Sequence, residues 1–386
     1  MDVPASTTGR EPKKKERRAF ARRARREAAA LFLGCLALAA LLLAHPAGAL
    51  TRYTLETDHF LIHFDAGYEA LAREAARVAE EVHQELVPRV GHTPSEKTHL
   101  VLLDSTDLAN GMADPILYPK MVIFPVYPTF FSPYGSGISP RLVEWLRLVI
   151  LHEYAHVLHL DMNGGTGQVV EWLFGRVPYL TNPNTLQGYA FIEGFATYQE
   201  TVAGLGGRGH DPFYRMFLRA MVLEDDFLRL DQILGHYPLE RWEPGAVVYL
   251  YGYSLWDYMA SRYGEDSLQA FNEAFTRTAS LDAAFQEVLG TSPEAFYQDW
   301  QEHLRRVYAA EIEALRAQGV TPAEPLGGAG YVPESPVASP DGRRIAYVTA
   351  YGPVAPSLRI LEWEGGSIRD RQVVAGLIMG PVTWSP

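Results

Sequence analysis

An α+β fold is predicted for this chain: a small mixed sheet, then a helical half, then a short β-rich stretch. Three observations carry the prediction. Apolar and polar residues alternate in short runs before residue 125, apolar residues recur at helical spacing from Leu142 to Arg316, and turn chemistry with a repeated Ser-Pro follows residue 335. At 386 residues with 47% apolar content, the chain is long enough for two or three domains and apolar enough to give each a core.

The first segment reads as an address rather than a fold. Residues 10–26 hold ten Lys or Arg, Ala28 to Ala44 is an apolar run of 17, and Ala47-Gly48-Ala49 has the small-x-small form of a signal-peptidase site. Residues 1–49 are therefore expected to be a secretory signal or, left uncleaved, a membrane anchor at the lower length limit for a span. Cys35, the only cysteine, lies in that run, so its removal excludes disulfides, thiolate metal sites and a cysteine nucleophile. Beyond residue 49 the chain carries 24 basic and 42 acidic side chains, a net charge of −18. So acidic a body disfavours nucleic acid and suits an extracytoplasmic space, periplasmic or secreted.

Tyr53 to Phe64 then alternates as a strand, Tyr68 to Leu86 has the pattern of an amphipathic helix, and Thr98 to Leu103 is a second strand. Lys120 to Pro125 is a third, with a proline that suggests an edge. Ser139-Pro140 supplies an N-cap and N1 proline for the next helix, which is apolar nearly all round until Asn163-Gly164-Gly165 ends it.

Almost the only polar groups on the second half of that helix are His152, Glu153, His156 and His159. In His152-Glu153-Tyr154-Ala155-His156 the histidines stand four apart, on one helical face, so both imidazoles can reach one ion. Glu153 lies about 100° round the helix, where a carboxylate can take a proton from a water whose pKa zinc lowers towards roughly 7. The bland alternative is a histidine-bearing helix that matches by chance.

A third donor is required. A histidine six beyond His156 is excluded, because position 162 is Met. Downstream, Glu193 opens an apolar-rich helical stretch, Phe191 to Glu200, and offers a carboxylate; the alternative is an ordinary first-turn acid favoured by the helix dipole. His159 shares roughly the face of His156 and is expected to line the cleft or support a ligand, with plain packing as the alternative. Asp161 and Glu200 are expected to orient ligand imidazoles from behind, with solvated surface as the competing reading for both.

The pair of segments, His-Glu-x-x-His and Ile-Glu-Gly-Phe-Ala-x-Tyr-x-Glu, resembles the gluzincin metallopeptidases, the thermolysin and aminopeptidase superfamily of the peptidase MA clan. The resemblance implies a zincin-like domain over residues 50–318, one zinc ion per chain on His152, His156 and Glu193, and Glu153 as the base. The interval from His156 to Glu193 is 37 residues, longer than in thermolysin-like enzymes, which implies an inserted loop from Asn163 to Gln187. Tyr249-Leu250-Tyr251-Gly252 resembles the Tyr-x-x-Gly element of gluzincin aminopeptidases, which would make Tyr249 a donor to the tetrahedral intermediate. Five tyrosines from Tyr249 to Tyr263 leave core packing, or another tyrosine, open. In this clan an edge strand lies along the cleft and pairs with extended substrate, a role the resemblance assigns to Lys120–Pro125. The Gly-x-Met-Glu-Asn amine anchor of the aminopeptidases is replaced by Gly111-Met112-Ala113-Asp114, which favours endopeptidase action on a peptide or protein substrate.

Further helices are expected over Asp211–Val222, Val247–Tyr263, Ser267–Phe275 and Pro293–Arg316, with Gly204 to His210 as a flexible cleft rim. Residues 319–335 have linker composition. Ser339-Pro340-Asp341-Gly342 then sets a turn between short strands, and Ser385, 46 residues after Ser339, repeats its opening at the spacing of one propeller blade. This stretch resembles the repeats of TolB-type β-propellers, which implies that residues 336–386 are a first blade and the start of a second in a truncated propeller, with a protein partner of its own. No nucleic-acid partner is expected, and membrane contact only through the N-terminal segment. Two readings compete with the peptidase: a propeller-based binding protein with the peptidase-like domain as scaffold, and a zinc hydrolase of non-peptide substrates.

Overall fold

The structure is a computed structural model that describes residues 52–107, 109–126, 142–177, 179–203, 207–235, 244–319, 321–324, 326, 333–349, 357–376 and 382–385. The expected signal segment, Cys35 and the Ser139-Pro140 cap lie outside the described residues. The fold is mixed, with one mixed sheet, one antiparallel sheet and a helical middle.

The alternation after residue 51 folds as a hairpin and not as one strand. β1 (Arg52–Glu56) and β2 (Phe60–Asp65) are antiparallel, and the turn between them closes when the Thr57 amide donates to the Phe60 carbonyl, 3.0 Å. After α1 (Glu69–Val90), β3 (Thr98–Leu102) and β5 (Lys120–Phe124) add parallel to β2 and to each other, and β4 (Asn110–Ala113) adds antiparallel to β5. The sheet order is β1-β2-β3-β5-β4.

The edge assignment made for Lys120–Pro125 is thereby corrected. β5 is interior, bonded on both sides, and among the described residues the last strand at that end is β4. Pro125 falls one residue past β5, where it removes no ladder hydrogen bond. Phe60, Ile62, Phe64, Leu100, Leu102, Met121 and Ile123 bury one face of the sheet, and α1 and α2 (Leu142–Leu160) join the same core.

The expected inserted loop also holds structure: α3 (Thr166–Phe174) and a 3₁₀ turn at Pro183–Leu186. α4 (Tyr189–Val202), α5 (Pro212–Glu224), α6 (Leu230–Leu234), α7 (Pro244–Tyr263), α8 (Asp266–Thr278), α9 (Leu281–Ala284) and α10 (Pro293–Gln318) follow. Phe191, Phe195, Trp256, Phe271 and Phe285 fill the space between them; each aromatic ring so buried contributes on the order of 2–3 kcal/mol. α4 and α7 meet backbone to backbone. A methyl group on Gly194 would sit 2.3 Å from the Gly252 Cα, so only glycine fits at that crossing.

The C-terminal sheet is an antiparallel meander of β6 (Pro333–Ala338), β7 (Arg344–Thr349), β8 (Ser357–Glu364) and β9 (Ser367–Ala375). β6 begins inside the segment expected to be linker. Gly342, at φ +69°, makes the expected turn, and the Ser339 hydroxyl donates to the Asp341 carboxylate, 2.6 Å. The Trp384 indole donates to the Val337 carbonyl of β6, 2.9 Å, so the residue before Ser385 bonds to this C-terminal sheet. Among the described residues this is one four-stranded sheet and no closed propeller.

Candidate metal centre

The near-uniform apolarity of α2 buries it on several sides, and its few polar groups are buried with it. His152, Glu153 and His156 are all under one-tenth exposed. The helical spacing brings the two imidazoles to one face, and their Nε2 atoms lie 3.2 Å apart. α4 crosses behind and presents Glu193, whose Oε2 is 3.1 Å from His156 Nε2 and 3.5 Å from His152 Nε2. Among the described residues, His152, His156 and Glu193 are the one group of three or more His, Cys, Asp or Glu donors that could hold a metal ion. A four-coordinate ion with bonds of about 2.1 Å separates its donor atoms by about 3.4 Å, and the three observed separations bracket that value.

Glu200, two turns along α4, orients the first imidazole. Its Oε2 is 3.0 Å from His152 Nδ1, so Nδ1–H donates to the carboxylate and the Nε2 lone pair faces the donor triangle. Arg208 fixes Glu200 in turn. Its amide and its Nε donate to Oε1 at 3.0 and 2.7 Å, and its Nη2 donates to Oε2 at 2.9 Å. The same Nη2 lies 2.9 Å from His152 Nδ1, but a protonated Nδ1 cannot accept, so the guanidinium bonds the carboxylate. Burial pushes the Glu200 carboxyl up, yet Arg208 and His152 outweigh it and bring it down to about 2. Glu193 is likewise held below the ordinary carboxylate range: burial opposes ionisation, and the His156 and His152 imidazoles prevail.

Glu153 has the opposite balance. Burial dominates and raises its carboxyl to about 8, with Glu193 and Glu200 adding to the rise and His156 and Arg208 opposing it. A dication in the donor triangle would lower it again. Among the described residues no donor bonds this carboxylate, and it lies against β4, where a methyl group on Gly111 would come within 2.7 Å of its Oε1. The edge strand and the motif glutamate thus form one wall. Tyr249, on α7, places its ring 6.1 Å from that of His152, with the Arg208 guanidinium 4.4 Å over its face.

Two other expectations change. His159 does not reach the cleft: it is wholly buried, its ring 4.6 Å from Phe195 and 6.5 Å from Trp256. One turn beyond His156, the helix already runs under α4 and α7. Neither ring nitrogen has a hydrogen bond of good geometry, although Gln187 and Asn272 flank the ring, and burial lowers its pKa to about 3. Asp161 orients a different imidazole. It accepts from His92 Nε2 at 2.9 Å and from Arg176 Nη2 at 2.5 Å, tying the end of α2 to the segments after α1 and after α3 rather than to His152 or His156.

Arg208 was missed from sequence because a Gly-Arg-Gly loop reads as flexible. Its signal was the pair of flanking glycines: a methyl group on Gly207 would strike the Glu200 backbone at 2.6 Å, and one on Gly209 the Tyr253 ring at 2.2 Å. That loop is held against two helices and aims its arginine inward. No protein-family model matches the chain, and no curated protein matches it significantly.

Proposed function

We propose that the chain is an extracytoplasmic zinc-dependent peptidase of gluzincin type, carrying the first blade of a TolB-like propeller. The observation that carries the reading is the donor triangle of His152, His156 and Glu193, spaced for tetrahedral zinc, with Glu153 free beside it. Two neutral imidazoles and one carboxylate, with an open fourth position, are the donor set of zinc hydrolases. Zinc held there supplies a Lewis acid for the scissile carbonyl and makes water easier to deprotonate.

The chain's own residues do the rest. Glu153 accepts a proton from the attacking water and passes it to the leaving amine; its buried place beside Gly111 keeps the carboxylate within the wall that the substrate would meet. Among the described residues β4 is the last strand of the sheet, and an extended peptide would bind along it beside Glu153 by strand addition. Tyr249 donates to the oxygen on which charge develops, with its ring held under Arg208. Glu200 and Arg208 keep His152 in the tautomer that leaves Nε2 a donor atom. The basic and apolar run of residues 10–44, followed by Ala47-Gly48-Ala49, supports export. The four-stranded meander that starts at Pro333 supports the blade.

The test is the chain from residue 50 loaded with zinc, measured for metal per chain and for cleavage of a peptide library beside Glu153→Gln. One zinc in both proteins, with turnover lost in the variant, is the expected result. Equal inactivity of both, with a complete propeller present, would transfer the function to the propeller as a binding module. Absence of zinc from both would end the metal assignment.

A further inference from the structure

α3 and the loop after it expose an unusual amount of apolar surface. Trp172 is 83% exposed and Phe174 76%, and Val169, Leu173, Tyr179 and Leu180 are each more than half exposed. The loop closes on the helix, because the Leu180 carbonyl lies where a methyl group on Gly167 would meet it at 2.6 Å. Six such side chains present on the order of 700 Å² of apolar surface, more than the few hundred Å² that ordinary monomers leave bare.

Charge has been withdrawn from this surface. Between Gly164 and Gln187 the sequence holds two charged residues, Glu171 and Arg176. Both turn inward. The Asn163 amide donates to Glu171, and Arg176 donates to Asp161 and, at 2.6 Å, to the Pro115 carbonyl beyond β4. The tip therefore offers Trp, Phe, Tyr, Leu and Val, with the uncharged Thr166 and Gln168 as exposed polar neighbours on the same helix, whereas a protein interface of this size carries several hydrogen bonds. A bilayer demands none, and Trp and Tyr are the side chains that settle at its interface.

The sequence before the described residues points the same way. The apolar run ends at Ala44 and the first strand starts at Arg52, with seven residues between them. Those seven span at most about 25 Å, so entry of the run into a membrane brings the domain to the membrane surface.

We infer that α3 with the 179–180 loop is an interfacial membrane-docking element that inserts into the acyl boundary of an electrically neutral lipid surface. It stands apart from the peptidase reading and rests on no property of the metal site. It also departs from the expectation that the N-terminal segment is the sole membrane contact. The body beyond residue 49 has a net charge of −18, so attachment is apolar in origin and insensitive to salt. Arg176 links the docking helix to the end of α2 and to the segment after β4.

The contacts of Arg52–Pro386 group into a unit separate from residues 1–51, so the chain from residue 50 serves for flotation with phosphatidylcholine vesicles. Binding is expected, unchanged from 0.1 to 1 M salt on the order of the screening range. Trp172→Ser and Phe174→Ser should each lower the partition coefficient roughly tenfold, with unchanged thermal melts because both side chains are exposed. In the full chain, brominated phosphatidylcholine should quench a tryptophan component that Trp172→Phe removes while leaving flotation intact, since phenylalanine keeps the apolar ring. Absence of binding, binding indifferent to the serine substitutions, or quenching unaltered by Trp172→Phe would overturn the inference. So would a concentration-dependent dimer that Trp172→Ser dissolves, which would assign the surface to a second copy.

Discussion

Replacement of His159 by Leu should remove an acid-sensitive element of stability. In the folded chain burial holds the His159 pKa at about 3, against an ordinary value of 6.5. A group whose folded pKa is lowered stabilises the native state in its neutral form. That contribution is complete above pH 6.5 and falls as the unfolded chain takes up a proton that the folded chain refuses. The loss is about 4 kcal/mol at pH 3 and ~2 kcal/mol at pH 5. Leu suits the site because both ring nitrogens lack well-formed hydrogen bonds and the walls are Phe195 and Trp256. Urea unfolding of the metal-free wild type and His159→Leu, each at intervals from pH 7.5 to 4.5, isolates the effect. The stability difference should be constant above pH 7 and then move in favour of the variant with a slope approaching ~1.4 kcal/mol per pH unit. A difference that stays flat across the range would refute the reasoning, since it would mean that the ring is protonated, or solvated, in the native state.

Glu200→Gln should weaken metal affinity about 10–100-fold, measured by competition with a chelating dye, because His152 loses a charged acceptor and Arg208 loses its partner. Tyr249→Phe should lower kcat about a hundredfold with metal content unchanged; an unchanged kcat would remove Tyr249 from the chemistry and leave it as packing under Arg208. Gly111→Ala should displace the Glu153 side chain, since the added methyl group has 2.6 Å to its Cγ. Turnover should then fall at least tenfold while one metal per chain is retained, and full activity would show that Glu153 can act from elsewhere.

The candidate metal site was legible because helical geometry converts sequence spacing into direction. His152 and His156 had to share a face, and Glu200, two turns from Glu193, had to share its own. The edge strand β4 was not legible, for its four residues, Asn-Gly-Met-Ala, are too few and too weak in strand preference to show alternation. α3 was hidden for a different reason. Gly165 and Gly167 supply turn chemistry at its start, and Val169, Trp172, Leu173 and Phe174 face away from the core, so no inward apolar stripe marked it as a packed helix. The partner of Asp161 lies 69 residues away on His92, and a contact at that distance leaves no periodic trace. His159 shows the limit of reading a face from spacing alone: the face was read from the helix, and its covering by Phe195 and Trp256 comes from other elements.

The glycine crossing of α4 and α7 has a consequence for anyone seeking to alter this protein. Glu193 adjoins Gly194, and Tyr249 stands less than one turn before Gly252, so the separation of these two groups is set by main-chain atoms in contact. No choice of neighbouring side chain can widen or narrow it. Selection for altered function will therefore find few useful variants along that seam, and libraries are better spent on β4, where side chains still decide what fits against Glu153.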